Sequence, residues 1–313
     1  MEIKMSKCPF FGLCGGCAYD FTAPNYRDEK SRDLPHIQNM SSPIWGKSGT
    51  RRRADFAAAS NSFGFYKMGT RDIININNCP NLVPEINDIL PNLSKLPWGG
   101  AASVLVTKCN NGIVVNAVSD VPYFDNNFRD AVQKLPPQII RFTFNNTPIR
   151  SYHNPEISFD DKIVNFPDSG FLQPTTDTEQ ALRDLVVDAT HDAKHVVDLF
   201  CGIGNFTFAT NATGFDIMGC GIQRDLFKKP LSYKQLNQYD AIIMDPPRAG
   251  ALTQSQQIAQ SSVSTVVYIS CNPVTWKRDH DILLRGGYKI QTVIPVDQFV
   301  GTKHWEIFSI FKK

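Results

Sequence analysis

Four short apolar runs recur through the C-terminal third of the chain: HVVDLF (195–200), DAIIMD (240–245), TVVYIS (265–270) and TVIPV (292–296). Each is apolar nearly throughout rather than alternately, the pattern of a strand buried on both faces. Stretches long enough for helices separate them. Strands of this kind alternating with helices predict a parallel sheet flanked by helices. Open sheets of that class bind ligands at the carboxyl ends of their strands, so the residues that close each run carry the most information.

The first run leads into DLFCGIGNF (198–206), where Gly202 and Gly204 make a tight turn into a helix. Glycine there lets backbone approach a ligand closely. The third glycine of a dinucleotide fingerprint is absent, which fits a turn for S-adenosylmethionine better than one for a pyrophosphate. The second run closes in MDPPRAG (244–250), whose two prolines hold the Asp245 carboxylate rigidly at the sheet edge. Asp-Pro-Pro at a strand end recurs in enzymes that methylate a flipped base. The third closes in SCNPVT (270–275), leaving the Cys271 thiol in an open turn because Pro273 forbids simple continuation of the strand. A carbon such as uracil C5 reacts with a methyl donor only after a soft atom adds at C6, and a thiolate is suited to that addition. The adduct must then lose its C5 proton to a base. Glu306, in KHWEIF at the start of the last strand, is the candidate. Taken singly, Cys271 reads as a small buried hydrophobe and Glu306 as a surface carboxylate.

Upstream, residues 50–165 carry short alternating runs (RRRADFAAAS, SFGFYKM, ASVLVTK, GIVVNAVS, QIIRFTFN, KIVNFP) that predict a mostly β domain. TTDTEQALRDLVVDAT (175–190) has helical spacing, with Leu182, Leu185 and Val186 on one face. Residues 1–20 are rich in cysteine and glycine without periodicity, so something other than an apolar core must order them. Cys8, Cys14 and Cys17, with Cys79 as a distant fourth, can hold an iron–sulfur cluster or a zinc ion, and the three-plus-one spacing before a proline favours iron–sulfur. Cys109, Cys201 and Cys220 read as structural. No stretch approaches the roughly 20 apolar residues that span a bilayer, and MEIKMSKCPF lacks the apolar centre of a signal peptide. The chain therefore reads as cytoplasmic, where eight cysteines argue for metal or catalytic roles over disulfides. Net charge is only +2, but residues 1–80 hold 11 Lys and Arg against 7 Asp and Glu, including Arg51, Arg52 and Arg53. Such a face can meet phosphate or simply be a solvated basic loop.

Together, in this order, these motifs resemble the RNA uracil-C5-methyltransferase family, over a stretch from Cys8 to the C-terminus. The resemblance implies a Rossmann-like S-adenosylmethionine-dependent domain over 166–313, a central RNA-binding β domain over 23–165, and a [4Fe–4S] segment over 1–22. Cys8, Cys14, Cys17 and Cys79 would be the cluster ligands, in a structural or RNA-positioning role. GFLQPT (170–175) resembles the family's F-x-Q segment and implies Gln173 as a cofactor contact. Phe200, Asn205, Asp225 and Asp245 match the other cofactor positions, Cys271 the nucleophile, and Glu306 the base. The implied reaction is methylation of uridine C5 in RNA, with 23S rRNA favoured over the tRNA T-loop; no membrane and no obligate protein partner are implied.

Two departures stand out. The chain starts directly at the cysteine segment, without the extra β-barrel (the TRAM domain) that precedes it in many members. In GFDIMGCGIQRDLF (214–227), Gly221 stands where an acid for the ribose hydroxyls is expected, with Asp216 as a possible substitute. The next apolar segment also follows too soon for a crossover helix. The expectation is a Rossmann-like domain shortened by one helix, with a truncated cofactor wall and weakened binding. Two other classes compete: a non-catalytic RNA-binding descendant, motivated by that gap, and an amino-methyltransferase using DPPR, which leaves the thiol and the cysteine set unexplained.

Overall fold

A computed structural model describes residues 8–121, 125–168 and 170–313. The first seven residues of the cysteine segment thus lie outside the described residues. After helix α1 (Tyr26–Ser31) the chain builds one seven-stranded sheet from β1 (Arg53–Ser60), β2 (Ser62–Tyr66), β3 (Ile73–Asn75), β4 (Trp98–Cys109), β5 (Gly112–Ser119), β6 (Ile139–Phe144) and β7 (Thr147–Ser151), in spatial order β3-β2-β1-β4-β5-β6-β7. Helices α2 (Pro84–Leu93) and α3 (Asn126–Gln133) supply residues to its core, where Phe56, Phe63, Trp98, Phe128 and Phe142 pack together. The predicted β runs all fall on strands, because alternation with turns such as Asn111–Gly112 is a local signal. A hairpin of β8 (Glu156–Phe159) and β9 (Lys162–Asn165) follows.

Helix α4 (Thr176–Thr190) then leads into the second sheet, with Leu182 and Val186 fully buried as their spacing predicts. Its strands are β10 (Val196–Leu199), β11 (Thr213–Asp216), β12 (Ile222–Gln223), β13 (Ala241–Met244), β14 (Thr265–Ser270), β15 (Lys289–Val296) and β16 (Glu306–Lys312), in order β12-β11-β10-β13-β14-β16-β15. The first five are parallel, and β16 runs antiparallel between β14 and β15. Helices α5 (Asn205–Thr210), α6 (Tyr233–Leu236), α7 (Leu252–Ala259) and α8 (Pro273–Arg285) make the connections. The continuous apolarity of the runs has a simple cause: Ile242, Met244, Val266 and Tyr268 enter one core while Ala241, Ile243, Val267 and Ile269 enter another on the opposite face. Among the described residues no helix is long and apolar enough to cross a membrane.

The expected missing helix is indeed missing: residues 217–221 alone join β11 to its parallel neighbour β12. So short a link suffices because β12 pairs only with the last two residues of β11, Phe215 to Ile222 and Asp216 to Gln223. The chain has almost no distance to travel back.

Residues 26–46, grouped above with the central domain, pack instead on the second sheet. Met40 and Ile44 bridge to Val293 and Val296 of β15. Lys30 forms a fully buried ion pair with Asp297, and its Nζ also donates to the Phe299 carbonyl at 2.9 Å. The Tyr26 hydroxyl donates to Asp297 at 2.8 Å and accepts from the Gly301 amide at 2.9 Å. Nothing local in the sequence encodes these long-range contacts. Removing one partner of such a pair strands a buried charge, at a cost of about 3–5 kcal/mol. Lys30→Ala is therefore expected to lower the denaturant midpoint sharply, with Lys30→Ala/Asp297→Ala recovering part of the loss; an unchanged midpoint for the single variant would contradict the buried pair.

Candidate functional site

A cavity of roughly 570 Å³ opens at the carboxyl ends of β10, β11, β13 and β14, and Gln173, Phe200, Asn205, Asp225, Asp245, Cys271 and Glu306 all line it. Its floor is the glycine turn after β10. Phe200, Gly202 and Gly204 adopt positive φ (64°, 52° and 98°), which folds the backbone tightly ahead of α5. The Gly202 amide donates to Asp216 Oδ2 at 2.9 Å, and Asp216 Oδ1 accepts from Met218 N at 3.1 Å.

That geometry corrects the reading of the acid. Asp216 closes β11 and lines the cavity, whereas Gly221 lies back against the strand, where a Cβ would come within 2.5 Å of the Gly214 carbonyl oxygen. Position 221 needs glycine for packing, and the carboxylate that closes β11 at the cavity is that of Asp216.

Asn205 opens α5. Arg183 of α4 donates to its side-chain oxygen at 3.2 Å and to its backbone carbonyl, and also pairs with Asp160 of the hairpin. Asn205 Nδ2 is buried with no hydrogen-bond partner, a donor left for a ligand. Gln173 reaches the site from the segment before α4; its Nε2 donates to Asp245 at 2.9 Å and its Oε1 accepts from Gln298. Burial pushes the Asp245 carboxyl up to about 7, with the Gln173 hydrogen bond working against it. Asp225 lines the cavity, but its Oδ1 accepts from the amides of Phe227 and Lys228 at 3.1 and 3.2 Å and so caps its own turn. The rings of Phe200 and Phe227 lie 5.3 Å apart at this end of the cavity.

Cys271 follows β14 directly. Asn272 caps α8, its Oδ1 accepting from Val274 N at 3.1 Å, and Pro273 takes the first helical position, where no amide is needed. Asn272 Nδ2 and Thr275 Oγ1 both donate to the Arg248 carbonyl, at 2.9 and 3.2 Å, clamping the DPPR loop to the thiol turn. The β14–β16 ladder ends with Ser270 paired to Ile307, so Cys271 and Glu306 are the residues just beyond that last pair, and both line the cavity. Burial, then Asp245, raises Glu306 well above the ordinary carboxylate range. Burial, then the charges of Glu306 and Asp245, pushes the Cys271 thiol up to about 11, with Arg248 pulling the other way. A thiol, a carboxyl of raised basicity and a second buried carboxyl thus share one wall.

The sequence reading missed Arg248 and His304, which face the same cavity, and Phe171, which is half exposed at its edge with the Arg53 guanidinium 5.7 Å from its ring centre. All three lay inside quoted motifs, but only the fold shows that they share a cavity. Of the arginine triplet, Arg52 is buried against Glu179 at 2.5 Å, and Arg51 donates to the Arg53 carbonyl at 3.0 Å. Much of that positive charge is internal wiring rather than a solvated basic face.

Cys8, Cys14, Cys17 and Cys79 are half-buried and in no disulfide. Burial, then the charges of Cys79, Cys14 and Cys8, pushes Cys17 up to about 12. The Gly16 amide donates to Cys14 Sγ at 3.3 Å, and Asn81 Nδ2 reaches Cys17 Sγ at 3.9 Å. Among the described residues, however, no three His, Cys, Asp or Glu side chains form a group that could hold a metal ion. The expected ligand set is gathered in one neighbourhood without closing into a coordination site.

A family model described as tRNA (Uracil-5-)-methyltransferase matches residues 226–313. An RNA methyltransferase of Mesorhizobium japonicum is 33% identical over 98% of this chain and 84% of its own length. One of Brucella melitensis is 32% identical over 100% of this chain and 85% of its own length. The 23S rRNA (uracil(1939)-C(5))-methyltransferase of Erwinia tasmaniensis is 25% identical over 98% and 82%. In fold, the chain is similar to the Pyrococcus abyssi tRNA (uracil-54, C5)-methyltransferase solved with S-adenosyl-L-homocysteine, with a TM-score of 0.73 at 18% identity over 96% of this chain and 86% of that one.

Proposed function

Because this chain belongs to the RNA methyltransferases of the tRNA (uracil-5-)-methyltransferase family, we propose that it methylates C5 of a uridine in RNA, with 23S rRNA as the favoured substrate. The observation that carries this reading is that Cys271 and Glu306, just beyond the last β14–β16 pair, line one cavity with Asp245 and the glycine turn. A non-catalytic descendant would have no use for that pairing.

The cavity suits S-adenosylmethionine: the turn offers backbone, Asn205 Nδ2 is an unused buried donor, and Asp216 has oxygen lone pairs to spare for hydroxyls. When bound, it supplies an electrophilic methyl group. The proposed work of the protein's own groups follows from their placement. Cys271 Sγ loses its proton and bonds to uracil C6, and the displaced π electrons make C5 nucleophilic. After C5 gains the methyl group, Glu306 takes the C5 proton; its raised pKa makes it the stronger base once ionised. The electrons of the broken C5–H bond reform C5=C6 and expel the thiolate. Gln173 holds Asp245, and the Arg248 clamp holds the thiol turn.

Cys8, Cys14, Cys17 and Cys79 are proposed as ligands of a [4Fe–4S] cluster with a structural or RNA-positioning role. Their mutual charge coupling and the N–H contacts to two sulfurs support this, and iron and sulfide analysis of anaerobically purified protein tests it. Cytoplasmic placement is part of the same proposal.

The test of the function is 5-methyluridine mapping in 23S rRNA and tRNA from cells with and without the protein. One rRNA uridine losing its methyl group supports the reading; a tRNA T-loop site would move the substrate, and no change in either would overturn it. Asp216→Ala is expected to weaken S-adenosyl-L-homocysteine binding about tenfold or more, since a hydrogen bond to a charged group is worth about 1.5–3 kcal/mol. Calorimetry showing unchanged affinity would remove Asp216 from the cofactor wall.

A further inference from the structure

The short 217–221 link that replaces the missing helix brings a second pair of thiols together. Cys201, buried in the glycine turn, and Cys220, exposed on the 217–221 link, are hydrogen-bond partners through their sulfurs. The Cys220 amide donates to the Gly202 carbonyl at 3.1 Å, so the two segments run side by side. Three glycines make room for the sulfurs: a Cβ on Gly204 would lie 2.6 Å from Cys220 Sγ, and Cβ atoms on Gly214 and Gly221 would each lie 2.8 Å from Cys201 Sγ. Cys220 also borders an open cleft of about 490 Å³ that Arg141 and Asn154 line on the far side, giving a small molecule a way in.

We propose that Cys201 and Cys220 form a reversible disulfide site that takes small-molecule disulfides as oxidant, and that closing it weakens binding in the methyl-donor cavity. The second half rests on the reading of that cavity given above. The exchange balances without further reagents. The Cys220 thiolate attacks one sulfur of the disulfide, forming a mixed disulfide and expelling one thiolate, which takes up a proton. Cys201 then loses its proton and attacks the Cys220 sulfur, expelling the second thiol. Two protein thiols are oxidised and one small disulfide is reduced to two thiols. The roles follow from accessibility: the exposed sulfur meets the reagent and the buried one resolves. Their proton affinities agree, since the Cys201 S–H donated to Cys220 brings Cys220 down to about 7 despite burial.

Closure must move the cavity floor. A disulfide holds its sulfurs about 2.05 Å apart, well inside any hydrogen-bond contact, so the two segments that carry them must draw together. Cys201 and Gly202 line the cavity, and Gly202 N holds Asp216. Drawing the turn towards the 217–221 link displaces both.

The experiment compares reduced protein with protein incubated in glutathione disulfide. Readouts are a non-reducing peptide map and S-adenosyl-L-homocysteine calorimetry, each repeated with Cys220→Ser. The expected result is a Cys201–Cys220 cross-linked peptide, at least a tenfold loss of affinity, and recovery of both with dithiothreitol. Cys220→Ser is expected to match the reduced protein and to ignore the oxidant. Absence of the cross-link, a cross-link with unchanged affinity, or equal loss of affinity in Cys220→Ser would overturn the proposal. Reduced protein that binds no S-adenosyl-L-homocysteine would instead overturn the cavity reading, and the peptide map would still decide the disulfide.

Discussion

Cys271→Ala protein is expected to transfer no methyl group to RNA, a loss of about 10⁴-fold or more, while still binding S-adenosyl-L-homocysteine. The size of the effect follows from the chemistry: without a bond at C6, uracil C5 is too weak a nucleophile, and no neighbouring group can take over from the sulfur. Binding should survive because the thiol turn is held by Asn272 and Thr275 on the Arg248 carbonyl rather than by the thiol itself. RNA carrying 5-fluorouridine provides the complementary measurement. Fluorine at C5 cannot leave as a cation, so wild-type protein with methyl donor should be trapped in a denaturation-resistant complex and Cys271→Ala should not. Appreciable turnover by the alanine variant would remove the covalent route altogether.

Why the sequence revealed so much of this site, and not all of it, is a matter of local against long-range information. Cys271, Asp245 and the glycine turn were legible because each ends an apolar run, and strand ends are where an open α/β sheet places its chemistry. Glu306 opens the last strand, and its partnership with Cys271 is a matter of register that no local pattern contains. Asp216 stayed only a substitute in the sequence because alternation along β11 left its direction open; the structure turns it to the cavity, while Gly221 packs back against the strand. The packing of residues 26–46 on the second sheet depends on Lys30, buried against Asp297 far along the chain. A lysine in a short polar helix gives no sign of it. The arginine triplet failed differently: composition records charge, but only the fold shows that Arg52 is spent on Glu179.

Glu306→Gln should separate the two halves of the reaction. Glutamine keeps the shape of the side chain and cannot accept the C5 proton, so the sequence of bond changes is expected to stop after methylation of C5. With the proton still on C5, the C6–S bond has no electron pair to expel the sulfur. The variant should therefore accumulate a covalent complex with unmodified RNA, dependent on both methyl donor and Cys271, and release methylated product at least about 10²-fold more slowly. It should also form that complex at lower pH than the fluorinated substrate is trapped by wild type. Glu306 is among the groups that hold the Cys271 thiol high, so removing its charge lets the thiol ionise more readily. Below its pKa of about 11 the thiolate fraction rises tenfold per pH unit, so the rate of adduct formation should climb with pH in both proteins, with the Glu306→Gln curve displaced towards acid. A variant that turns over normally would leave Glu306 as packing beneath the nucleophile. One that forms no complex at all would mean that the carboxylate is needed before the sulfur adds, as the acceptor of the thiol's own proton.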